Sequence, residues 1–386
     1  MLSSLAHRAL ERAGLGEVRD RVLEGKRITE EEALRLFHSP DLAALGALAN
    51  HVREARHGDR TFYNKNVHLN FTNVCVASCK FCSFARPDDR QASEGYTMPL
   101  EESVQSVLRR KGSGITEVHI VNGLHPDLPW SHYLDVVRKL RQGWPELAIK
   151  AYTAVEIHFF AEKFGKSYEQ VLRELLDAGL TTLPGGGAEI FASRVRRKIC
   201  DDKATAEQWL EVHRVAHRLG IKSNTTMLYG TIETLEERVD HMARLRALQD
   251  ETGGFQVFIP LAFHPEHNMI GKAFPKPTGF DGLRTYAVAR LFLDNFDHVK
   301  AYWVMIGERL AQAALSFGVD DLDGTVLEER IYHMAGAQTP QGLTEAGLHR
   351  LIRSAGRVPV ERDSLYHVLH LHGPEGAAGA PRAATA

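Results

Sequence analysis

The chain has 386 residues, 44% of them hydrophobic and 25% charged, and a net charge of −2. That length is ample for a large buried core, and the near-neutral balance excludes the basic field that nucleic-acid binding needs. No run of about 18 apolar residues offers a membrane span, and the N-terminus MLSSLAHRALERAGL has no apolar signal core, so a cytoplasmic protein is expected.

Residues 1–62 read as helices, with Leu5, Ala9 and Leu10, then Val18, Val22 and Leu23, at helical spacing. Thr29 followed by Glu32 predicts a capping box at the start of a helix carrying Ala33, Leu34, Leu36 and Phe37. From residue 66 short β-rich runs alternate with helical ones. Strands are expected at Val67–Thr72, Glu117–Asn122, Ala148–Val155, Thr181–Leu183, Lys222–Leu228, Gln256–Ala262, Val299–Met305 and Ser316–Val319. Helices fall between them, among them Tyr168–Ala178, Ala206–Leu219 and Leu235–Asp250, and the series closes on Thr325–Met334. Gly179 and Gly220 each follow a helix, where a left-handed cap is expected.

This alternation predicts an α/β fold, a (β/α)8 TIM-type barrel over 63–345 with an N-terminal helical extension. An open barrel of six units with two added units is the runner-up. A C-terminal helical segment is expected over 346–372, and a Gly/Ala/Pro-rich tail over 373–386 reads as disordered. Function should gather on loops after the strands' C-terminal ends.

The loop after the first of these strands carries the strongest chemical signal. Cys75, Cys79 and Cys82 take the spacing C-x-x-x-C-x-x-C, with Phe81 before the last thiol. Three thiolates on a short loop can hold three irons of a 4Fe-4S cluster and leave the fourth iron open. A structural zinc site closes with four ligands, and the fourth cysteine, Cys200, is far away in sequence. Zinc with a distant histidine, as in a scaffold barrel, is the competing use; a disulfide would strand one thiol. Cluster ligation matches the pattern better.

Other strand ends add candidates. Gly123 and His125 follow the second strand, and glycine there permits close backbone approach. Gly185-Gly186-Gly187 and Glu189 follow the fourth, where a carboxylate can accept from ribose hydroxyls or an ammonium group. Asn224 and Thr226 end the fifth, and His264 follows the sixth. Arg196 and Lys198 are possible carboxylate anchors, although such runs are usually solvated faces.

The cysteine loop resembles that of the radical S-adenosylmethionine (SAM) superfamily. The segments HLNFTNVCVASCKFCSF, GGGAEIF followed by RRKIC, HRLGIKSNTTMLYG, FIPLAFHPEHN and SFGVDDLDGTVLEERIYHMAG further resemble the aminofutalosine synthase family of the futalosine route to menaquinone. GGGAEI is shared with cyclic dehypoxanthine futalosine synthase and resembles its counterpart in deazaflavin (FO) synthase; these siblings are the alternatives. Thr231 stands where many relatives carry histidine. The resemblance implies a 4Fe-4S cluster on Cys75, Cys79 and Cys82, and SAM as a consumed cosubstrate. It places Phe81 against the adenine and Gly123 and Glu189 on SAM. It also implies addition of the 5′-deoxyadenosyl radical to 3-[(1-carboxyvinyl)oxy]benzoate, aryl migration and decarboxylation, giving 6-amino-6-deoxyfutalosine. A one-electron reductant of the flavodoxin or ferredoxin type is the implied protein partner. His125, Arg196 and His264 are the candidate donors for the substrate carboxylates.

Overall fold

A computed structural model describes residues 2–87 and 94–373. The tail expected to be disordered lies outside these residues from 374 onward. Four helices open the chain, Ser4–Arg12, Gly16–Leu23, Glu30–Phe37 and Leu42–His57. The third starts on the expected capping box, Thr29 with Glu32. Arg53 is wholly buried on the fourth and donates to the carbonyls of Gly58, Arg60 and Val319, so this helix is tied to the backbone around the first strand.

The strands are β1 (Arg60–Asn64), β2 (Asn66–Leu69), β3 (Glu117–Ile120), β4 (Ala148–Ala151), β5 (Ser223–Tyr229), β6 (Phe255–Ala262), β7 (His298–Val299), β8 (Asp321–Gly324), β9 (Val358–Arg362) and β10 (Val368–Leu371). They form sheets of order β10-β9-β1-β8, β2-β3-β4 and β5-β6-β7. All pairings are parallel except that of β10 with β9. Single parallel bridges link the sheets, Lys150 to Thr182, Leu183 to Ser223, Lys300 to Asp321 and Val67 to Leu327. Helices such as Leu100–Leu108, Trp130–Gly143, Tyr168–Ala178 and Ala206–Arg218 separate the strands in the chain.

The arrangement is a TIM-type α/β frame, but its ladders do not close into the (β/α)8 barrel expected from the sequence. The run Thr181–Leu183 makes only isolated bridges. The run Ser316–Val319 is not a strand: the strand is Asp321–Gly324, where Asp321 pairs with Phe62 of β1. The seventh run shortens to His298–Val299 because Trp303–Ile306 turns into a helix. Ala148–Val155 stops at Ala151, since Thr153 and Glu156 form a capping box that starts helix Ala154–Phe164. Helix Thr325–Met334 reduces to Ile331–Met334.

The C-terminal segment is also not all helical. Helix Glu345–Ser354 is followed by β9 and β10, and β9 pairs in register with β1 from Arg60↔Val358 to Tyr63↔Glu361. The boundary at 62 therefore cuts through β1. Gly179 takes the expected left-handed cap (φ 114°) and Gly220 has φ 81°. No described helix is long and apolar enough to cross a membrane.

Two histidines, buried His241 and half-buried His217, make the frame acid-sensitive. Burial pushes His217 and His241 down to about 3. His241 stacks on Phe191 at 4.0 Å, and its Nε2 lies 3.0 Å from Thr226 O. A base depressed in the folded state binds fewer protons than its unfolded counterpart between about pH 3 and 6.5. The stability these groups contribute is complete above about pH 6.5 and is lost as pH falls through that window. Urea denaturation between about pH 7 and 5 should show each adding about 1.4 kcal/mol of destabilisation per pH unit below its unfolded pKa, and His241→Phe should remove its share of the slope.

Candidate active site

The cysteine loop leaves β2 through Asn70–Val74 and is held by backbone hydrogen bonds from three directions. Val76 N–H donates to Leu124 O at 3.0 Å, Lys80 N–H to Ile199 O at 2.8 Å, and Met269 N–H to Lys80 O at 3.0 Å. The Asp202 carboxylate accepts from Ser78 N–H at 2.6 Å. The end of helix Ser193–Ile199 and the turn after it thus position the loop, which accounts structurally for the RRKIC segment. Cys200 is buried at the cap of that helix.

Cys75, Cys79 and Cys82 are free thiols, each partly buried, and Cys82 Sγ accepts from Ala85 N–H at 3.4 Å. Burial pushes all three thiols up. Thiolates held there need nearby positive charge, and iron is a cation that soft sulfur donors bind. Three uncommitted thiols on a fixed loop fit a cluster that keeps one iron open.

Behind the loop lies a cavity of about 270 Å³ that Cys75, Cys79, Cys82 and Phe81 help to line. Glu189 also lines it, in a left-handed conformation (φ 48°), and is ion-paired with Lys203. The Lys203 ammonium sits 5.5 Å over the Phe81 ring. The glycine turn is packed tightly: a β-carbon on Gly185 would come within 2.6 Å of Thr225 Cα. Gly123 meets the cysteine loop equally closely, since a β-carbon there would lie 2.2 Å from Val74 O.

Of the sequence candidates, Phe81 and Glu189 join the three cysteines at the cavity, and Asn224 and Thr226 line it too. His125, Arg196 and His264 do not line it. His125 Nδ1 accepts from the amides of Asp127 and Leu128. Arg196 donates to the carbonyls of Ala188, Ile190 and Ala204, bracing the glycine-rich loop. His264 Nε2 lies 2.7 Å from Met305 O. His125 and Arg196 are committed to backbone, as is His264 Nε2, while His264 Nδ1 is buried without a hydrogen-bond partner.

Sequence reasoning passed over the cavity's polar floor. His68, His119 and Lys150 occupy one register layer across β2, β3 and β4. The two imidazoles stack at 4.7 Å and 6°, and burial keeps both below their ordinary value. His68 Nε2 is buried without a hydrogen-bond partner. Lys150 is ion-paired with Glu117 at 2.7 Å, and Lys300 with Asp323. At the rim, Glu156 accepts from Asn122 N–H at 3.0 Å and Thr153 N–H at 2.8 Å, while Asn122 Oδ1 accepts from Phe71 N–H at 2.8 Å. Burial raises the Glu156 carboxyl to about 7 against the pull of those donors. The available signal was a polar residue inside a strand run: His119 in EVHIVN, Lys150 in AIKAYT, Lys300 in VKAYWV.

A parallel α/β frame with three free thiols on the loop beside an interior cavity is the arrangement of radical SAM enzymes. Residues 69–245 match the Radical SAM superfamily model, and residues 252–374 match the CofH/MqnC C-terminal region. The chain is 52% identical to the aminodeoxyfutalosine synthase of Thermus thermophilus, over 90% of this chain and 94% of the relative. It is 48% identical to the Streptomyces coelicolor aminodeoxyfutalosine synthase, over 93% and 95%. The FeFe-hydrogenase maturase HydG from Carboxydothermus hydrogenoformans shares the fold at 17% identity, with a TM-score of 0.70 over 94% of this chain and 85% of that one. The chain belongs to the radical SAM superfamily, in the family of the aminodeoxyfutalosine synthases. It is a radical SAM transferase, and members of that superfamily use a 4Fe-4S cluster and SAM.

The contact at Gly123 is testable. Gly123→Ala should displace Val74 and the adjoining Cys75, lowering iron and sulfide bound per chain after anaerobic reconstitution while far-UV circular dichroism stays unchanged.

Proposed function

We propose that the protein makes 6-amino-6-deoxyfutalosine for menaquinone synthesis, joining the 5′-deoxyadenosyl group of SAM to the alkene carbon of 3-[(1-carboxyvinyl)oxy]benzoate. Aryl migration and decarboxylation accompany that bond. The observation that carries this reading is the 52% identity to an aminodeoxyfutalosine synthase across 94% of that relative. When bound, the cluster and SAM supply one-electron cleavage of the sulfonium to give a carbon-centred radical.

The chain's own residues have separate duties in this scheme. Cys75, Cys79 and Cys82 hold three irons. Phe81, stiffened by Lys203, and Glu189 border the space for the adenosyl group, and Gly123 lets the second loop close on the cysteine loop. On the floor, His68 Nε2 has no protein partner and His119 stacks on the same ring, so neutral imidazole N–H groups face a substrate carboxylate, backed by Lys150. Buried Tyr302 and half-buried Tyr332 form an aromatic wall suited to the aryl ring. Enclosure keeps water away and holds the alkene in place. No general acid or base is required by the radical steps. A one-electron donor of the flavodoxin or ferredoxin type approaches where Val76 and Met269 are exposed beside the cysteine loop.

Reconstituted protein with SAM, a strong one-electron reductant and the enol-ether substrate should give an adenosyl adduct by mass spectrometry. Free 5′-deoxyadenosine as the sole nucleoside product would sink this reading, and its release on dehypoxanthine futalosine would assign the sibling cyclisation instead. His68→Ala should raise KM by roughly 10- to 100-fold, the worth of one hydrogen bond to a charged group, with a smaller change in kcat.

A further inference from the structure

A second cluster of ligand-type side chains lies outside the cavity, where helix Glu345–Ser354 meets β1 and the end of β10. Glu345 and His349 are four residues apart on that helix and share one face. His372 follows β10, and its amide donates to Pro359 O at 3.0 Å. One carboxylate oxygen and two imidazole nitrogens lie within 4.8 Å of one another. Glu345 Oε1 is 3.9 Å from His349 Nε2 and 3.8 Å from His372 Nε2. Buried Tyr63, on β1, brings its hydroxyl to all three, at 2.7 Å from the carboxylate and 2.8 and 3.0 Å from the imidazoles.

We propose that Glu345, His349 and His372 bind one divalent transition-metal ion of the zinc class, which displaces the Tyr63 hydroxyl from its hydrogen bonds to the three ligand atoms. Two imidazoles and a carboxylate are donors of the type zinc takes. Tetrahedral bonds of about 2.0–2.1 Å set ligand atoms about 3.3–3.4 Å apart. The 3.8 and 3.9 Å separations reach that value with shifts of about half an ångström, and the two imidazole nitrogens, within 4.8 Å of each other, close up by rotation of the partly exposed His372 ring.

Two protein cations act on the cluster, Arg353 on both imidazoles and Lys65 on Glu345. Lys65 is 3.8 Å from Glu345 but pairs more closely with Glu361, at 3.0 Å. The Glu345 side chain is 38% exposed and that of His372 28%, so an ion reaches the ligands from solvent. The other described cluster, His57, His298 and Asp320, lacks this balance, because the buried Arg290 guanidinium already occupies Asp320. An ion on Glu345, His349 and His372 would clamp the last strand to the helix before β9.

Zinc titrated into the cluster-loaded holoenzyme, followed by calorimetry and elemental analysis, should bind at one equivalent per chain. It should raise the thermal midpoint of the wild-type holoenzyme. His349→Ala and His372→Ala should each weaken binding by at least about 100-fold, since even an outer-shell change costs 10- to 100-fold. Iron content and turnover should remain as in the wild type. Glu345→Gln preserves shape and must also weaken zinc, which covers misfolding of the alanine variants. The difference spectrum of cobalt(II)-loaded minus cobalt-free holoenzyme should show ligand-field bands without a sulfur-to-cobalt charge-transfer band. Less than stoichiometric zinc, binding undiminished in the variants, or a sulfur band would each overturn the assignment.

Discussion

Buried charge is the constraint on which this frame depends. Glu117 on β3 meets Lys150 on β4, Lys300 beyond β7 meets Asp323 on β8, and Asp321 on β8 meets Arg362 on β9 at 2.8 Å. Nearly all of these groups are removed from water. Removing one partner of such a pair leaves an uncompensated charge and costs about 3–5 kcal/mol. The first two pairs fix one strand against the next, and the third ties β8 to β9 across the intervening β1. These links matter most where the backbone ladder is thin, as between Val299–Lys300 and Asp320–Asp321.

The same constraint shapes the cavity. Because the floor cations are already paired, the groups left free to meet a ligand are neutral: stacked His68 and His119 and the amide of Asn224. The cysteine side carries the opposite problem, three thiols that burial keeps protonated until positive charge arrives. Lys203 spans this divide, pairing with Glu189 while lying over Phe81. The site thus has a rigid polar base and a loop whose electrostatics are complete only with iron.

Much of this was legible in the residues. Spacing alone isolated Cys75, Cys79 and Cys82, and hydrophobic periodicity located most parallel strands and their helices. Strand ends were harder. Thr153 and Glu156 converted part of an expected strand into a helix start, a signal hidden inside an apolar run. β1 was missed because Arg60-Thr61-Phe62-Tyr63-Asn64 gains its neighbours only from the far end of the chain. His125, Arg196 and His264 looked like ligand donors because they sit near strand ends, whereas His125 Nδ1, the Arg196 guanidinium and His264 Nε2 serve nearby backbone groups. His68, His119 and Lys150 were overlooked because inward direction comes from register, which one strand read by itself does not display.

The placement of β1 between β8 and β9 has a consequence for how the protein is made. Its partners lie about 260 and 300 residues downstream, so loop closure must precede any reward from pairing. During synthesis the cysteine loop, the glycine turns and most helices leave the ribosome while β1 still presents two open edges. The frame locks only when its final strands emerge. The interval before β8 and β9 pair with β1 is when these open edges most need protection from aggregation.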